Sequence, residues 1–250
     1  MPVVETESLV LRSFNLAEAD RIVVFLTRES GMVRGVAKGA KRLKSRFGSM
    51  LEPFSTVQLE YFQKEDRELV SIRQLDLIRS CFEQASEPEV LQAFSYIADL
   101  LISFVPPHDP NETLYRMVKA CLESGCGSRE DIAAIRLYFE IWLLRLGGYL
   151  PDWSVCNGCK NSLDPDQSAD VQADFHLLCD ACRKSRGGQA VSGRHREAFL
   201  SAQRLSPREF MQFASERTSV LTDVSGILRR IISNIIGREL AGEKSFAVNS

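Results

Sequence analysis

Four of the seven cysteines in this chain fall into two closely spaced pairs. The first pair is Cys156 and Cys159, the second is Cys179 and Cys182, and nineteen residues lie between the pairs. Two thiolates three positions apart on a tight turn can bind one ion, and a second such pair completes a tetrahedron of sulfur ligands, as zinc prefers. Because four thiolates leave no open position for water or substrate, we predict one structural zinc ion rather than a catalytic one.

Other interpretations of the cysteines are less well supported. Redox-active cysteine pairs of this spacing are typical of a thioredoxin-like βαβ context, which the sequence lacks. His176 lies close enough in sequence to replace one cysteine as a ligand, but we predict that it does not. The segment that holds the cysteines, residues 151–187, is polar and too short to bury a core of its own, which gives a metal ion a structural role.

A run of basic side chains between residues 34 and 46 is the second group with binding chemistry. It contains six cations and no acid, although the net charge of the whole chain is −2. Lysine and arginine attract phosphates whatever the base sequence, so the run suits a nucleic acid, and a solvated charged loop is the alternative. The six residues are Arg34, Lys38, Lys41, Arg42, Lys44 and Arg46.

The elements that must position these residues change in character near Cys81. Before it, five short segments of apolar and polar alternation predict five strands, and so many strands in so short a stretch predict a closed barrel. An oligonucleotide-binding (OB) fold is the most common such barrel, and an SH3-like barrel is the main competitor. After it, apolar residues recur at helical spacing. We therefore predict an α+β multidomain protein, in which an N-terminal five-stranded OB-fold β-barrel precedes an α-helical domain with an inserted four-cysteine zinc module.

This pattern divides the chain into four parts. We predict an OB-fold domain at 1–81, a first part of the helical domain at 82–150, the zinc-binding insertion at 151–187 and a second helical part at 188–245. No apolar run approaches the roughly 20 residues of a membrane-spanning helix. The N-terminal residues lack the basic and apolar regions of a signal peptide, so we expect a cytoplasmic protein without a membrane partner.

Common enzyme signatures are missing from the sequence. There is no phosphate-binding loop, no dinucleotide-binding glycine pattern and no His-x-Glu ahead of the cysteines. Three histidines in loop-like or basic settings supply a histidine-based triad poorly. A binding protein is therefore favoured over an enzyme. Phe47, Phe54, Tyr61 and Phe62 are candidates for stacking on nucleic-acid bases, although core packing is the more usual role for at least two of them.

Two longer motifs match a known family. The first motif reads Glu29-Ser30-Gly31-x-Val33-Arg34-x-Val36-Ala37-Lys38-Gly39-Ala40-Lys41 and continues through Phe47-Gly48-x-x-Leu51-x-Pro53-Phe54. The second reads Phe139-Glu140-x-x-Leu143-Leu144-x-x-Gly147-Gly148-Tyr149, just before the cysteines. With these motifs and this order of elements, the chain resembles the bacterial DNA repair and recombination mediator RecO. The resemblance implies an OB domain followed by a helical domain with an inserted zinc module.

The resemblance also implies a function. The family binds single- and double-stranded DNA, anneals complementary strands and, with its partner RecR, helps to load RecA recombinase onto strands coated by single-stranded DNA-binding protein (SSB). The six cations fall in its DNA-contacting stretch. The family contacts the acidic, apolar-ended SSB tail through its helical domain, where our candidates are Arg136, Phe139, Trp142 and Arg145.

We expect the chain to be a monomer when alone. The alternative to a recombination mediator is a zinc-stapled protein-interaction module whose basic loop binds an acidic protein.

Overall fold

The structure is a computed structural model, and it describes residues 3–63, 68–81, 87–125, 128–183 and 188–237. It divides into two compact units, Met1–Glu123 and Ser124–Ser250. The predicted domain boundaries after residues 81, 150 and 187 stay predictions, because compactness alone does not show which segments fold as separate domains. No helix in the described ranges is long and apolar enough to cross a membrane.

The first unit begins with a closed five-stranded barrel, in which the strands are hydrogen-bonded in the order β1-β2-β3-β5-β4. Strands β4 and β1 pair antiparallel and close the barrel, whereas β3 and β5 pair in parallel. This is the arrangement of an OB fold, so the predicted fold class is confirmed over the SH3-like alternative. The strands are β1 (Val3–Leu16), β2 (Asp20–Thr27), β3 (Gly31–Ala37), β4 (Thr56–Phe62) and β5 (Leu69–Arg79).

The barrel core also includes side chains from outside the strands. Val10, Phe25 and Leu59 point inward from three strands and are fully buried. Phe47 and Leu51 enter the same core from the connection between β3 and β4, which includes a short 3-10 turn at Gly48–Leu51. Their burial fixes the connection to the barrel immediately after its basic segment.

Two helices, α1 (Pro88–Phe104) and α2 (Glu112–Glu123), belong to the same compact unit as the barrel. Pro88 in the first turn, where a proline costs no hydrogen bond, starts α1 as its sequence indicates. The rings of Phe54 and Phe94 meet edge to face with centroids 5.1 Å apart, which packs α1 on the barrel.

The connection between α1 and α2 lies against the start of β3. The backbone N–H of His108 donates to the carbonyl of Met32 at 3.1 Å. Gly31 has a φ of +67°, and a Cβ atom there would lie 2.3 Å from the carbonyl oxygen of Asp109. Both the backbone conformation and the close approach therefore require glycine at this position.

An ion-pair network joins α2 to strand β1. The Glu7 carboxylate accepts hydrogen bonds from Lys119 Nζ at 2.6 Å and from the Tyr115 hydroxyl at 2.8 Å. Burial raises the pKa of Glu7, but the hydrogen bonds from Lys119 and Tyr115 outweigh this effect and hold its pKa below the usual value. A carboxyl whose pKa is lower in the folded state stabilises that state above its unfolded pKa, and the contribution is lost as the pH falls through the folded pKa.

We therefore expect Glu7→Gln to destabilise the protein by about 1–2 kcal/mol at pH 7, a typical cost for partly exposed charged hydrogen bonds. The difference from the wild type should shrink as the pH falls below about 4.3, the ordinary pKa of glutamate. Urea unfolding followed by circular dichroism between pH 3 and pH 7 measures this. Glu5→Gln, on the same strand but exposed and hydrogen-bonded by Gln58, is the control. A constant difference at every pH would contradict the assignment.

The second unit contains four helices and a small sheet. Helix α3 begins with a capping box between Ser128 and Asp131, and its buried side packs against α5 and α6, as its apolar spacing predicts. The sheet has the order β7-β6-β8, so it continues past the predicted end of the zinc insertion at residue 187. The elements are α3 (Arg129–Leu146), β6 (Ala169–Val171), β7 (Leu177–Cys179), β8 (Gln189–Val191), α4 (Gly193–Ser201), α5 (Pro207–Ala214) and α6 (Thr218–Ile236).

Candidate metal centre and nucleic-acid surface

The four predicted cysteine ligands lie together in the second unit. The sulfur atoms of Cys156, Cys159, Cys179 and Cys182 all lie within 4.8 Å of one another. Four sulfurs around one zinc ion at about 2.3 Å would be separated by slightly less than 4 Å, so the cluster needs little adjustment to bind it. The Sγ atoms of Cys159 and Cys179 are already 4.0 Å apart. The donor set therefore fits a tetrahedral metal ion.

Each cysteine pair sits on a tight turn. The N–H of Lys160 donates to the Cys156 carbonyl at 2.8 Å, and the N–H of Cys182 donates to the Cys179 carbonyl at 3.0 Å. Gly158 lies in the first turn, where a Cβ atom would come within 3.1 Å of the Cys182 sulfur. A side chain at that position would press on the ligand cluster, which explains the glycine.

The surroundings of the sulfurs favour the thiolate form at Cys156 and the thiol form at Cys182. Burial raises the pKa of Cys156, but backbone N–H groups, with Cys179 the largest contributor, outweigh it and lower this pKa. Contacts with the thiols of Cys179, Cys159 and Cys156 raise the pKa of Cys182 instead. Four negative sulfurs so close together repel one another, and a divalent cation removes that cost.

His176 does not join the metal cluster. The four cysteines alone form the group of ligand atoms among the described residues. The carbonyl of His176 accepts from the N–H of Gln172 at 2.9 Å, and its side chain lines a cavity of about 400 Å³ together with Tyr149 and Phe175. That His176 is not a metal ligand stays a prediction.

The segment that holds the four cysteines is fixed to helix α4 by an aromatic pair and a buried arginine. Trp153 is fully buried, and its ring stacks on Phe199 with centroids 4.3 Å apart. The Arg196 guanidinium donates to four backbone carbonyls of the segment. The sequence suggests a solvated or nucleic-acid-binding role for the basic residues that follow the second cysteine pair, Arg183, Lys184, Arg186, Arg194 and Arg196, of which Lys184 and Arg186 lie outside the described ranges. For Arg196 this interpretation is wrong, because its side chain is buried. The sequence does not indicate that Arg196 is buried, because an arginine in a basic stretch usually faces solvent.

All six predicted phosphate-binding cations are exposed. Arg34 is on strand β3, opposite Leu69 of β5, and the other five follow β3 in the connection to β4. We call residues 38–46 the basic loop. None of the six cations forms an ion pair with an acidic residue in the described ranges. Their charges are therefore available to an external anion.

Backbone contacts hold the basic loop against its neighbours. The N–H of Gly39 donates to the Asp20 carboxylate at 2.8 Å, and the N–H of Lys41 donates to the Ala19 carbonyl at 2.9 Å. At the other end, the Arg46 guanidinium lies 3.4 Å from the Ile72 carbonyl and 4.9 Å from the centre of the Phe47 ring. The loop thus spans from the β1–β2 turn to strand β5.

Three of the four aromatic stacking candidates are core residues. Phe47, Phe54 and Tyr61 are each 1% exposed, so their rings have no surface to offer a base. Phe62 is partly exposed, with the Arg73 guanidinium 5.7 Å from its ring centre. Core packing, the more usual role, accounts for the first three.

The four candidates for partner binding do not share one surface. Phe139 is fully buried and cannot contact a partner, because it lies on the core side of α3. The Arg136 side chain is only 14% exposed and lies 3.6 Å from Glu140. Arg145 is exposed and covers Trp142, with the guanidinium 4.8 Å from the ring centre. Of the four, only the Trp142–Arg145 pair is placed to meet another molecule.

The chain was compared with known protein families and curated proteins. Residues 1–81 match the family model "Recombination protein O N terminal", and residues 85–243 match "Recombination protein O C terminal". A protein of Koribacter versatilis named DNA repair protein RecO is 32% identical over 70% of this chain and 69% of its own length. The protein of that name from an Anaeromyxobacter strain is 27% identical over 94% of this chain and 92% of its own length. The one from Rubrobacter xylanophilus is 33% identical over 73% of each chain.

Proposed function

Because the chain belongs to the RecO family of DNA repair proteins, we propose that it is a non-enzymatic recombination mediator. In this proposal it binds single- and double-stranded DNA, anneals complementary strands and, together with RecR, helps to load RecA onto SSB-coated single strands in the cytoplasm. The observation that carries the proposal is the group of six exposed cations on β3 and the basic loop, with no described acid paired to them.

Phosphate contacts explain how such a surface would hold two strands. Each cation that meets a phosphate releases a condensed counterion, which makes the affinity fall with salt. Six contacts on single-stranded DNA correspond to a slope of about −4 in log K against log salt concentration. Since phosphates look alike in every sequence, the loop would hold complementary strands without selecting between them, as annealing requires.

The second compact unit, which contains helices α3 to α6, would recruit the partner proteins. The partly exposed Trp142 and the exposed Arg145 combine an aromatic ring with a cation, which suits a peptide with acidic and apolar residues such as the SSB tail. Arg145 also donates to the Gln203 carbonyl at 3.0 Å, which orients the guanidinium.

We expect joint replacement of Lys38, Lys41, Arg42 and Lys44 by glutamine to weaken binding of single-stranded DNA by about 100-fold or more at 0.1 M salt. The salt slope should fall from about −4 to about −1.4, because two of six phosphate contacts remain. Fluorescence anisotropy of a labelled oligonucleotide at several salt concentrations measures both quantities.

A matched control has four exposed cations of the second unit replaced by glutamine: Lys160, Arg194, Arg204 and Arg208. It carries the same change in net charge and should keep the wild-type slope. A wild-type slope near zero, or equal losses in both variants, would refute the loop as the DNA-binding surface. If an acidic protein bound to the basic loop and DNA did not compete with it, the protein-interaction module would be favoured.

A further inference from the structure

We propose that an apolar row on the outside of the barrel, Phe14, Ile22 and Val36, is a platform on which bases of single-stranded DNA stack. The row lies beside the basic loop and crosses strands β1, β2 and β3. This inference rests on the proposed function and extends it, because it names the surface by which the barrel would distinguish a single strand from a duplex.

The strand register places the three side chains next to one another. Phe14 is directly opposite Ile22 in the β1–β2 pair, and Ile22 is directly opposite Val36 in the β2–β3 pair. Directly opposed residues in antiparallel strands have Cβ atoms about 5 Å apart on the same face. Phe14 is 48% exposed, and Ile22 and Val36 are partly exposed. The row is therefore a continuous apolar strip open to solvent.

A β-bulge turns Phe14 outward. Val10 pairs with Phe25 and Arg12 pairs with Val24, so strand β1 has one extra residue, Leu11, at this point. Simple alternation from the buried Val10 would point Phe14 into the barrel, but the bulge reverses the alternation beyond it. Bulges are often found where a strand must redirect a side chain near a binding site.

The exposure of this phenylalanine is unusual for the molecule. Phe14 and Tyr149 are the two exposed aromatic residues in the described ranges. A single exposed apolar side chain is common and needs no explanation, whereas apolar neighbours in register that are flanked by cations form a patch that can bind a partner. Phe47, Phe54 and Tyr61 are buried and cannot serve as platforms, and the partly exposed Phe62 has the Arg73 guanidinium 5.7 Å from its ring centre.

Cations flank the row on β3 and near the end of β1. Arg34 lies two positions before Val36 on β3, and Lys38 follows Ala37, the last residue of that strand. Lys41 Nζ lies 3.5 Å from the Ala17 carbonyl, in the turn that follows β1. Apolar rings between phosphate-binding cations are the arrangement by which proteins bind single strands without sequence preference. This charge pattern identifies the occupant as a single nucleic-acid strand.

The row should not contribute to duplex binding, because paired bases are stacked inside the helix and their faces are not available. We therefore expect Phe14→Ala to weaken binding of a single-stranded oligonucleotide by about five- to 100-fold, the loss that follows from removing one stacking platform. Duplex affinity should change by less than about twofold, the range of an ordinary surface substitution. The slope of log K against log salt should stay at the wild-type value, because no phosphate contact is removed.

Anisotropy titrations of the full chain with both oligonucleotides at several salt concentrations test this. Leu77→Ala, which removes a 43%-exposed apolar side chain from β5, is the matched control and should leave single-strand affinity unchanged. Phe14→Trp should retain the affinity, and the introduced indole should be quenched when single-stranded DNA binds.

Several outcomes would overturn the inference. These are an unchanged single-strand affinity in Phe14→Ala, equal losses on single strands and duplex, or quenching of the indole by an acidic polypeptide but not by single-stranded DNA. A flat salt dependence in the wild type would instead refute the proposed function of the basic loop, so the two failures can be told apart.

Discussion

Replacing Cys156, Cys159, Cys179 and Cys182 by serine is expected to remove about one equivalent of bound zinc per chain and to unfold the segment that they close. Binding of zinc to small Cys-rich domains contributes about 10–16 kcal/mol of apparent free energy near neutral pH, and this energy is folding energy. The regular structure around the cysteines cannot replace this energy, because its sheet has three strands of only three residues each. Chelation of the metal in the wild type should have the same effect.

Tryptophan fluorescence makes this unfolding visible. The chain has two tryptophans, Trp142 and Trp153, and both are in the second unit. Trp153 is fully buried, and its indole N–H donates to the Phe175 carbonyl at 3.2 Å, within the segment that the cysteines close. Loss of the metal should expose this ring and shift its emission to longer wavelength.

His176→Gln is the control for the metal experiment, since it removes the histidine that lies closest in sequence to the cysteine pairs. It should keep one equivalent of zinc and the native emission. Unchanged metal content in the four-serine variant would contradict the site, and loss of metal in His176→Gln would show that the ligand set is wrong.

The local features of the fold and site could be predicted from the sequence. The two cysteine pairs, the alternating strand segments and the broad apolar stripe of α6 each depend on residues close together in the chain. The exposure of the basic loop could also be predicted, because unpaired lysines and arginines are almost never buried. For these features the sequence pattern and the structure agree.

Features that depend on distant contacts could not be predicted. The outward direction of Phe14 depends on one extra residue in β1, which no alternation pattern shows. Phe139 is on the predicted apolar side of α3, but its complete burial depends on the helices that pack there. The arginine at 196 is indistinguishable in sequence from its exposed neighbour Arg194, and only the path of residues 153–167 explains its role.

Arg196→Met is the second substitution for which we expect a large effect. The Arg196 side chain is almost completely buried. Its nitrogens donate to the carbonyls of Trp153 at 3.1 Å, Asp164 at 2.7 Å, Gln167 at 3.0 Å and Leu163 at 2.9 Å. Burial lowers the pKa of the guanidinium, with Asp164 acting in the opposite direction, and an arginine remains charged under such conditions. The hydrogen-bond acceptors of this buried charge in the described ranges are thus all backbone carbonyls.

Removing that charge takes away the donor to the carbonyls of Trp153, Leu163 and Gln167, which costs far more than the loss of a surface ion pair. The Asp164 carbonyl still accepts from the N–H of Gln167 at 3.0 Å. We expect Arg196→Met to destabilise the second unit by about 5 kcal/mol, since each charged hydrogen bond contributes about 1.5–3 kcal/mol and relaxation recovers part of the loss.

Arg196→Lys should recover little, because one ammonium cannot reach carbonyls spread along residues 153–167. Arg194→Met, two residues earlier and exposed, should change stability by no more than about 0.5 kcal/mol. Urea unfolding followed by tryptophan emission distinguishes these results, and equal stability of Arg196→Met and Arg194→Met would show that the carbonyls find other donors.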